Sequence, residues 1–382
     1  MVTTDIVTET EGVRRIHAEW SALVADSFTA AFSTPAWYLA WLDAFPPKRI
    51  AIVTAREGGR LVGVLPLSLI RSDVRGLFFP LVAPLARGDY QPPIVASGAA
   101  REVLPAMLDT AVRHFGRHFV YWFPNIPTNE PALQVLLSYL QTREMTYATA
   151  TAVAPRIRIG GRSYAEVEAA WSARHRKEVR HKRQRLETCG ELELWRPQTL
   201  DEARSAMRDF FTVHDEKWLA QGQPGRFHNP ANRRHFLALL ERLWGRGLHF
   251  SALRCGQRRI YYSFSFISGG WILLYRPAFR IEYQKYSPGT VFLSMLLEEA
   301  CRSRMEGIDF LLGEEEFKFR WSNDVLKVLD LHAAFHAWSP AFQWLARGKP
   351  YVLKHVEPVM ARAKARLQRV GAHRAAPEAS RA

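Results

Sequence analysis

The 382-residue sequence predicts a mixed α/β protein, two similar α+β halves followed by a basic tail, and three observations carry that reading. The length suits two domains, and 48% hydrophobic residues supply a core for each. A strand-turn-strand pattern occurs twice, at residues 50–70 around Glu57-Gly58-Gly59 and at residues 250–267 around Cys255-Gly256-Gln257. An offset of 198 residues superposes Arg56 on Arg254, Gly58 on Gly256 and Arg60 on Arg258. The third observation is a strand-loop-helix-strand run over residues 271–312, the order of a parallel crossover. The expected division is 1–155, 156–338 and a tail over 339–382.

The elements follow from local chemistry. Residues 50–54 and 60–70 are β-rich and apolar, as are 250–253, 259–267 and 271–275. A helix is expected over 288–305, because Leu293, Leu296, Leu297, Ala300 and Cys301 recur at helical spacing. Ser287 stands where an N-cap belongs and Pro288 where the first helical residue belongs, while Gly307 is expected to stop the helix. Residues 308–312 then read as a strand, Pro155 to Gly161 as the link between halves, and 330–334 as a strand. A basic helix is expected over 171–187, with Trp171, Val179 and Leu186 as its one apolar line, and another over 359–370.

Composition narrows the function. No run approaches the ~18–20 apolar residues of a membrane span, and Asp5, Glu9 and Glu11 replace the basic-then-apolar opening of an export signal. Cys189, Cys255 and Cys301 are odd in number and far apart, which fits reduced thiols and a cytoplasmic location. The net charge of +15 is local: residues 171–188 carry a net +5 and residues 341–382 a net +7. His332 and His336 lack an acidic partner between them and sit in a predicted strand, so no metal site is expected.

Two stretches carry chemistry. Gln284-Lys285-Tyr286-Ser287-Pro288-Gly289-Thr290 precedes the predicted helix, whose N-terminus offers unpaired N–H groups to an anion. Its spacing is similar to the pyrophosphate loop of the GNAT N-acyltransferases, with Gln284 and Gly289 matching, Ser287 in place of the first glycine, and Pro288 removing one N–H. The second stretch, residues 307–321 (GIDFLLGEEEFKFRW), resembles the signature of the Fem-like and CelD-like branch of that superfamily. Asp309, Phe310, Leu311, Gly313, Glu315, Lys318, Arg320 and Trp321 match it, whereas Leu312, Glu314 and Phe317 depart. Phe317 removes a phenol, so that position donates no proton. Phe32 to Trp37, Asp89-Tyr90, Arg176 to Glu187 and His214-x-x-x-Trp218 extend the resemblance over residues 30 to 335.

The resemblance implies tandem GNAT-like units and transfer of an acyl group from acyl-CoA, as co-substrate, to an amine on a sugar or a cell-envelope or exopolysaccharide precursor. An aminoacyl-tRNA donor is the alternative. The donor falls to Gln284, Lys285, Ser287, Gly289 and Thr290. A lysine-like amine is protonated at neutral pH and needs a base. Glu314 and Glu315 are the candidates, with His214 as the other, and Lys318 is expected either to bind a phosphate or carboxylate of the acceptor or to help hold the developing oxyanion. Asp89, Tyr90, Trp218, Arg180 and Arg320 are the acceptor-side candidates. The structural readings of the same residues are an exposed Glu314–Lys318 pair on a helix turn and an Asp turn beside a packed Tyr90. Two non-enzymatic classes use the basic helix and tail: a membrane-surface protein on anionic lipid, and a nucleic-acid-binding protein. No helix-turn-helix or RNA-binding aromatic motif supports the second, and tRNA is the one nucleic acid expected.

Overall fold

Thirteen strands form one sheet in the computed structural model, which describes residues 1–336 apart from Asp26, Lys48, Arg75 and Gly76, together with Phe342. Those of the first half are β1 (Val2–Val7), β2 (Ile50–Glu57), β3 (Arg60–Val74), β4 (Leu77–Pro84), β5 (Ile94–Val95), β6 (Val120–Pro127) and β7 (Thr146–Arg158). The second half adds β8 (Leu192–Trp195), β9 (Leu248–Cys255), β10 (Arg258–Ser268), β11 (Trp271–Phe279), β12 (Gly307–Asp309) and β13 (Asp324–Ala334). The strand order is β1-β2-β3-β4-β6-β13-β7-β12-β11-β10-β9-β8, with β5 beside β3.

The repeat seen in the sequence is a repeat of structure. Hairpin β2–β3 closes with Glu57 opposite Arg60, and hairpin β9–β10 closes with Cys255 opposite Arg258. In each half a third antiparallel strand follows, then a helix, then a parallel strand: β4 with β6 around Ala100–Phe115, and β11 with β12 around Pro288–Arg302. The two crossover helices cover one face of their own half. Helix Ala100–Phe115 approaches β3 so closely that a Cβ on Gly63 would lie 2.5 Å from the Val103 side chain. Leu293, Leu296, Leu297 and Ala300 are buried as their spacing predicted.

The last strand of each unit is exchanged. β13 pairs with β6 of the first half and with β7, while β7 pairs in turn with β12 of the second. The stretch expected to link the halves is therefore the end of β7, because Arg156 to Arg158 pair with Gly307 to Asp309. A central core joins both halves. Phe32 and Trp37, the latter on helix Pro35–Ala44, meet Phe266 and Tyr275 with ring centroids 5.0–5.9 Å apart, all edge-on or tilted.

Three local expectations are corrected. Ser287 occupies the N-cap position but its side chain caps nothing; its backbone lies in the left-handed region at φ 54°. The helix ends at Arg302, and the chain reverses through Arg304 at φ 53° rather than at Gly307. Gly307 instead opens β12, where a Cβ would meet the Ile157 carbonyl at 2.2 Å. The strand expected over 308–312 stops at Asp309, because Leu311 turns the chain at φ 58°. The tail over 339–382, with the helix expected over 359–370, lies outside the described residues except for buried Phe342.

Candidate active site

β11 and β12 stay paired for three residues only, Trp271 to Leu273 against Gly307 to Asp309. Beyond that point β11 runs on to Phe279 while the other strand turns away at Leu311. The gap between them opens into a cavity of about 520 Å³, walled by Leu274 and Pro277 on one side and by Phe310 to Leu312 on the other. Gln284, Ser287, Gly289 and Thr290 border it, so the start of helix Pro288–Arg302 faces the opening. Lys285 does not border it; its ammonium lies 5.1 Å from the Tyr286 ring centroid.

At this site Ser287 explains its own motif position. The residue that replaces the expected glycine adopts the left-handed conformation a glycine would take freely, so the loop geometry survives the substitution at a cost of about 1–2 kcal/mol.

Lys318, on helix Glu316–Trp321, is buried, and its ammonium donates to the Leu312 carbonyl at 2.7 Å and pairs with Glu315 at 2.9 Å. The pairing is therefore Glu315–Lys318, not the Glu314–Lys318 pair of an ordinary helix turn. Burial raises the Glu315 carboxyl, but the Lys318 hydrogen bond and charge outweigh it and hold it below the usual carboxylate range. Glu314 is exposed and borders neither this cavity nor the next.

A second cavity, of about 510 Å³, meets the first at Asp89, Tyr275 and Arg276. Arg87, Gln91, Arg226 and Asn232 supply its polar groups and Trp41 and Trp122 part of its apolar wall. Burial pushes the Asp89 carboxyl above its ordinary range, opposed by the charges of Arg276 and Lys318. Arg226 and Arg276 both face that one carboxylate, which leaves the second cavity positively charged.

The other sequence candidates fall elsewhere. Tyr90 is fully buried and donates to Asp309 Oδ2 at 2.8 Å. His214 is buried against Asp215, 3.3 Å away, and borders neither cavity; burial lowers its pKa. Trp218 and Arg180 also border neither, and Trp218 is 36% exposed. Arg320 lines the first cavity and pairs with Glu178 at 3.2 Å. Sequence reading missed Arg276 and Arg226. Arg276 was readable as a charge inside an apolar strand run, but nothing local marks Arg226.

Comparison with known proteins fits this geometry. Residues 173–319 match the family model described as an acetyltransferase (GNAT) domain. The second half is a GNAT-like acyltransferase unit. Its match spans the helix Ala173–Glu187, the splayed strands and Lys318, so this half carries a GNAT-type acetyltransferase domain. Solved structures resemble most of the chain in fold. FemX aligns with a TM-score of 0.61 at 11% identity, over 89% of this chain and 99% of its own. The C-terminal domain of a proposed lysylphosphatidylglycerol synthetase from Agrobacterium fabrum aligns at 0.54 and 9% identity, over 89% and 97%. A Bacteroides thetaiotaomicron protein of unknown function aligns at 0.52 and 12%, over 87% and 100%. No curated protein matches the chain in sequence. No group of His, Cys, Asp and Glu fit to hold a metal occurs among the described residues.

Proposed function

We propose that the protein transfers an acyl group from acyl-CoA to an amine on a sugar or cell-envelope precursor that also carries an anionic group. The observation that carries this reading is the meeting of two cavities at Asp89, Tyr275 and Arg276. Acyl-CoA enters the first cavity. Its pyrophosphate suits the N–H groups at the start of helix Pro288–Arg302, and the unpaired length of β11 offers backbone groups to its extended arm. The acceptor enters the second cavity, where Arg87, Arg226 and Arg276 favour a phosphate or carboxylate.

In this reading the acceptor nitrogen attacks the thioester carbonyl directly. Carbon–nitrogen bond formation is followed by loss of the thiolate, which leaves with a proton. Asp89 takes the proton from the incoming ammonium, since it is the carboxylate common to both cavities and burial has made it more basic. Lys318, fixed by Leu312 and Glu315, supports the developing oxyanion through its positive charge. Glu315 serves Lys318 rather than the amine, and Glu314 and His214 remain outside the chemistry.

The match of residues 307–321 supports the CelD-like branch and hence an exopolysaccharide-type acceptor. Exposed Arg174, Lys177 and Arg180 on helix Ala173–Glu187 support work at the anionic cytoplasmic face of a membrane. No helix among the described residues is long and apolar enough to cross one.

The test is calorimetry with acetyl-CoA and longer acyl-CoA on wild type and Gly289→Trp. A Cβ at residue 289 already lies 3.1 Å from the Tyr261 ring, so an indole there obstructs the cavity. Micromolar binding that the substitution abolishes is expected. Absence of binding to any acyl-CoA overturns the donor assignment and makes charged tRNA the next donor to assay.

A further inference from the structure

Asp89 and Tyr90 are chain neighbours from the first half, yet they grip opposite ends of one segment of the second. Tyr90 donates its hydroxyl to Asp309 Oδ2 at 2.8 Å, and the other carboxylate oxygen accepts the Leu311 N–H at 2.7 Å. Asp89 faces the Leu312 N–H. Asp309 and Tyr90 are each buried to within 1% of full occlusion. Between these grips Leu311 holds a left-handed φ of 58°, a conformation that leucine avoids without support. The turn exposes the carbonyls of Leu311 and Leu312, and the Lys318 ammonium reaches both, at 3.5 and 2.7 Å. Gly313 lets it do so: a Cβ there would lie 2.6 Å from Lys318 Nζ.

We propose that Tyr90 and Asp309 are positioning residues that fix the turn over residues 309–313, and that this turn aims the Lys318 ammonium at the junction of the two cavities. The first half thus sets the direction of a charged group carried by the second. Tyr90 and Asp309 touch neither cavity, so they act only through the turn. The functional weight of this device rests on Lys318 acting in the transfer reaction; the device itself does not.

The test is competitive labelling of the lysines with acetic anhydride, read residue by residue by mass spectrometry. Wild-type Lys318 is expected to react at least ~10-fold more slowly than exposed Lys177, because its ammonium is buried and held by carbonyls. Tyr90→Phe, which removes one oxygen, is expected to raise Lys318 reactivity severalfold. Asp309→Asn, which keeps an acceptor for Leu311, raises it less. Lys182 and Lys217 line the same cavity from other elements and stay unchanged. Unchanged Lys318 reactivity in folded Tyr90→Phe overturns the proposal, and so does a rise shared equally by all three lysines. Should neither variant fold, hydrogen exchange of the wild-type Leu311 amide decides: slow exchange is expected, and exchange as fast as an exposed loop overturns it. Failure of the wild type to bind acyl-CoA sinks the donor assignment and leaves the labelling result standing.

Discussion

Asp309 is a carboxylic acid sealed from water, and burial pushes its pKa up to about 7 against the hydrogen bonds of Leu311 and Tyr90 and the charge of Arg156. Asp89 raises it further, and Arg156 is itself shared with Asp324, 2.7 Å away on β13. The folded state therefore keeps its proton at a pH where the unfolded chain, with an ordinary value near ~4, has lost it. Stability from this group is greatest below about pH 4 and declines as pH rises to about 7, by at most about 4 kcal/mol. Urea unfolding of wild type and Asp309→Asn across that range is expected to show the wild type losing ground to the variant; parallel profiles would falsify the assignment. Ser287 offers a test of opposite sign. Ser287→Gly relieves its left-handed backbone and is expected to leave stability equal or raise it by up to about 1 kcal/mol, with acyl-CoA affinity retained. The sequence made Ser287 and Lys318 visible because each stands in a local motif. Asp309 stood in the same motif, but its role depends on Tyr90, 219 residues away, and no local pattern announces such a partner.

The turn over residues 309–313 is the element on which the site depends, and it was the element read least well. An apolar run such as Ile308 to Leu312 looks like a strand throughout. What ends it is a side-chain carboxylate that captures the amide two residues on, a choice that propensity does not encode. Gly313 is the accessible probe. Its φ of 132° disfavours any L side chain, and a Cβ would meet Glu315 Oε2 at 2.2 Å. Gly313→Ala is expected to cost about 1–3 kcal/mol in denaturant unfolding and to displace Lys318, seen as faster labelling of that residue. An unperturbed variant would show that the turn yields freely. The helix Pro288–Arg302 was legible because its amphipathic spacing is regular, and the basic helix likewise, with Trp171, Val179 and Leu186 buried along or beside it.

At the scale of the whole molecule the halves share a sheet and an aromatic core, so they are expected to unfold together. Scanning calorimetry of the full chain should give one transition, whereas two resolved transitions would mean that the halves hold independently. The duplication was visible in the sequence through the turns at Gly58 and Gly256, because turn chemistry is local. The exchange of last strands was not, since β7 and β13 carry the same apolar signals whichever neighbour they join.

That exchange has a consequence for synthesis on the ribosome. β13 lies in the middle of the sheet but is the last strand among the described residues to emerge, roughly 180 residues after β7. At typical elongation rates of about 5–20 residues per second, β6, roughly 200 residues ahead of β13, waits about 10–40 s with one side of its backbone unmet. During that interval two nascent chains on one message could trade this strand or stack on it. The need for a chaperone, or for slow dilution during refolding, is set by that delay.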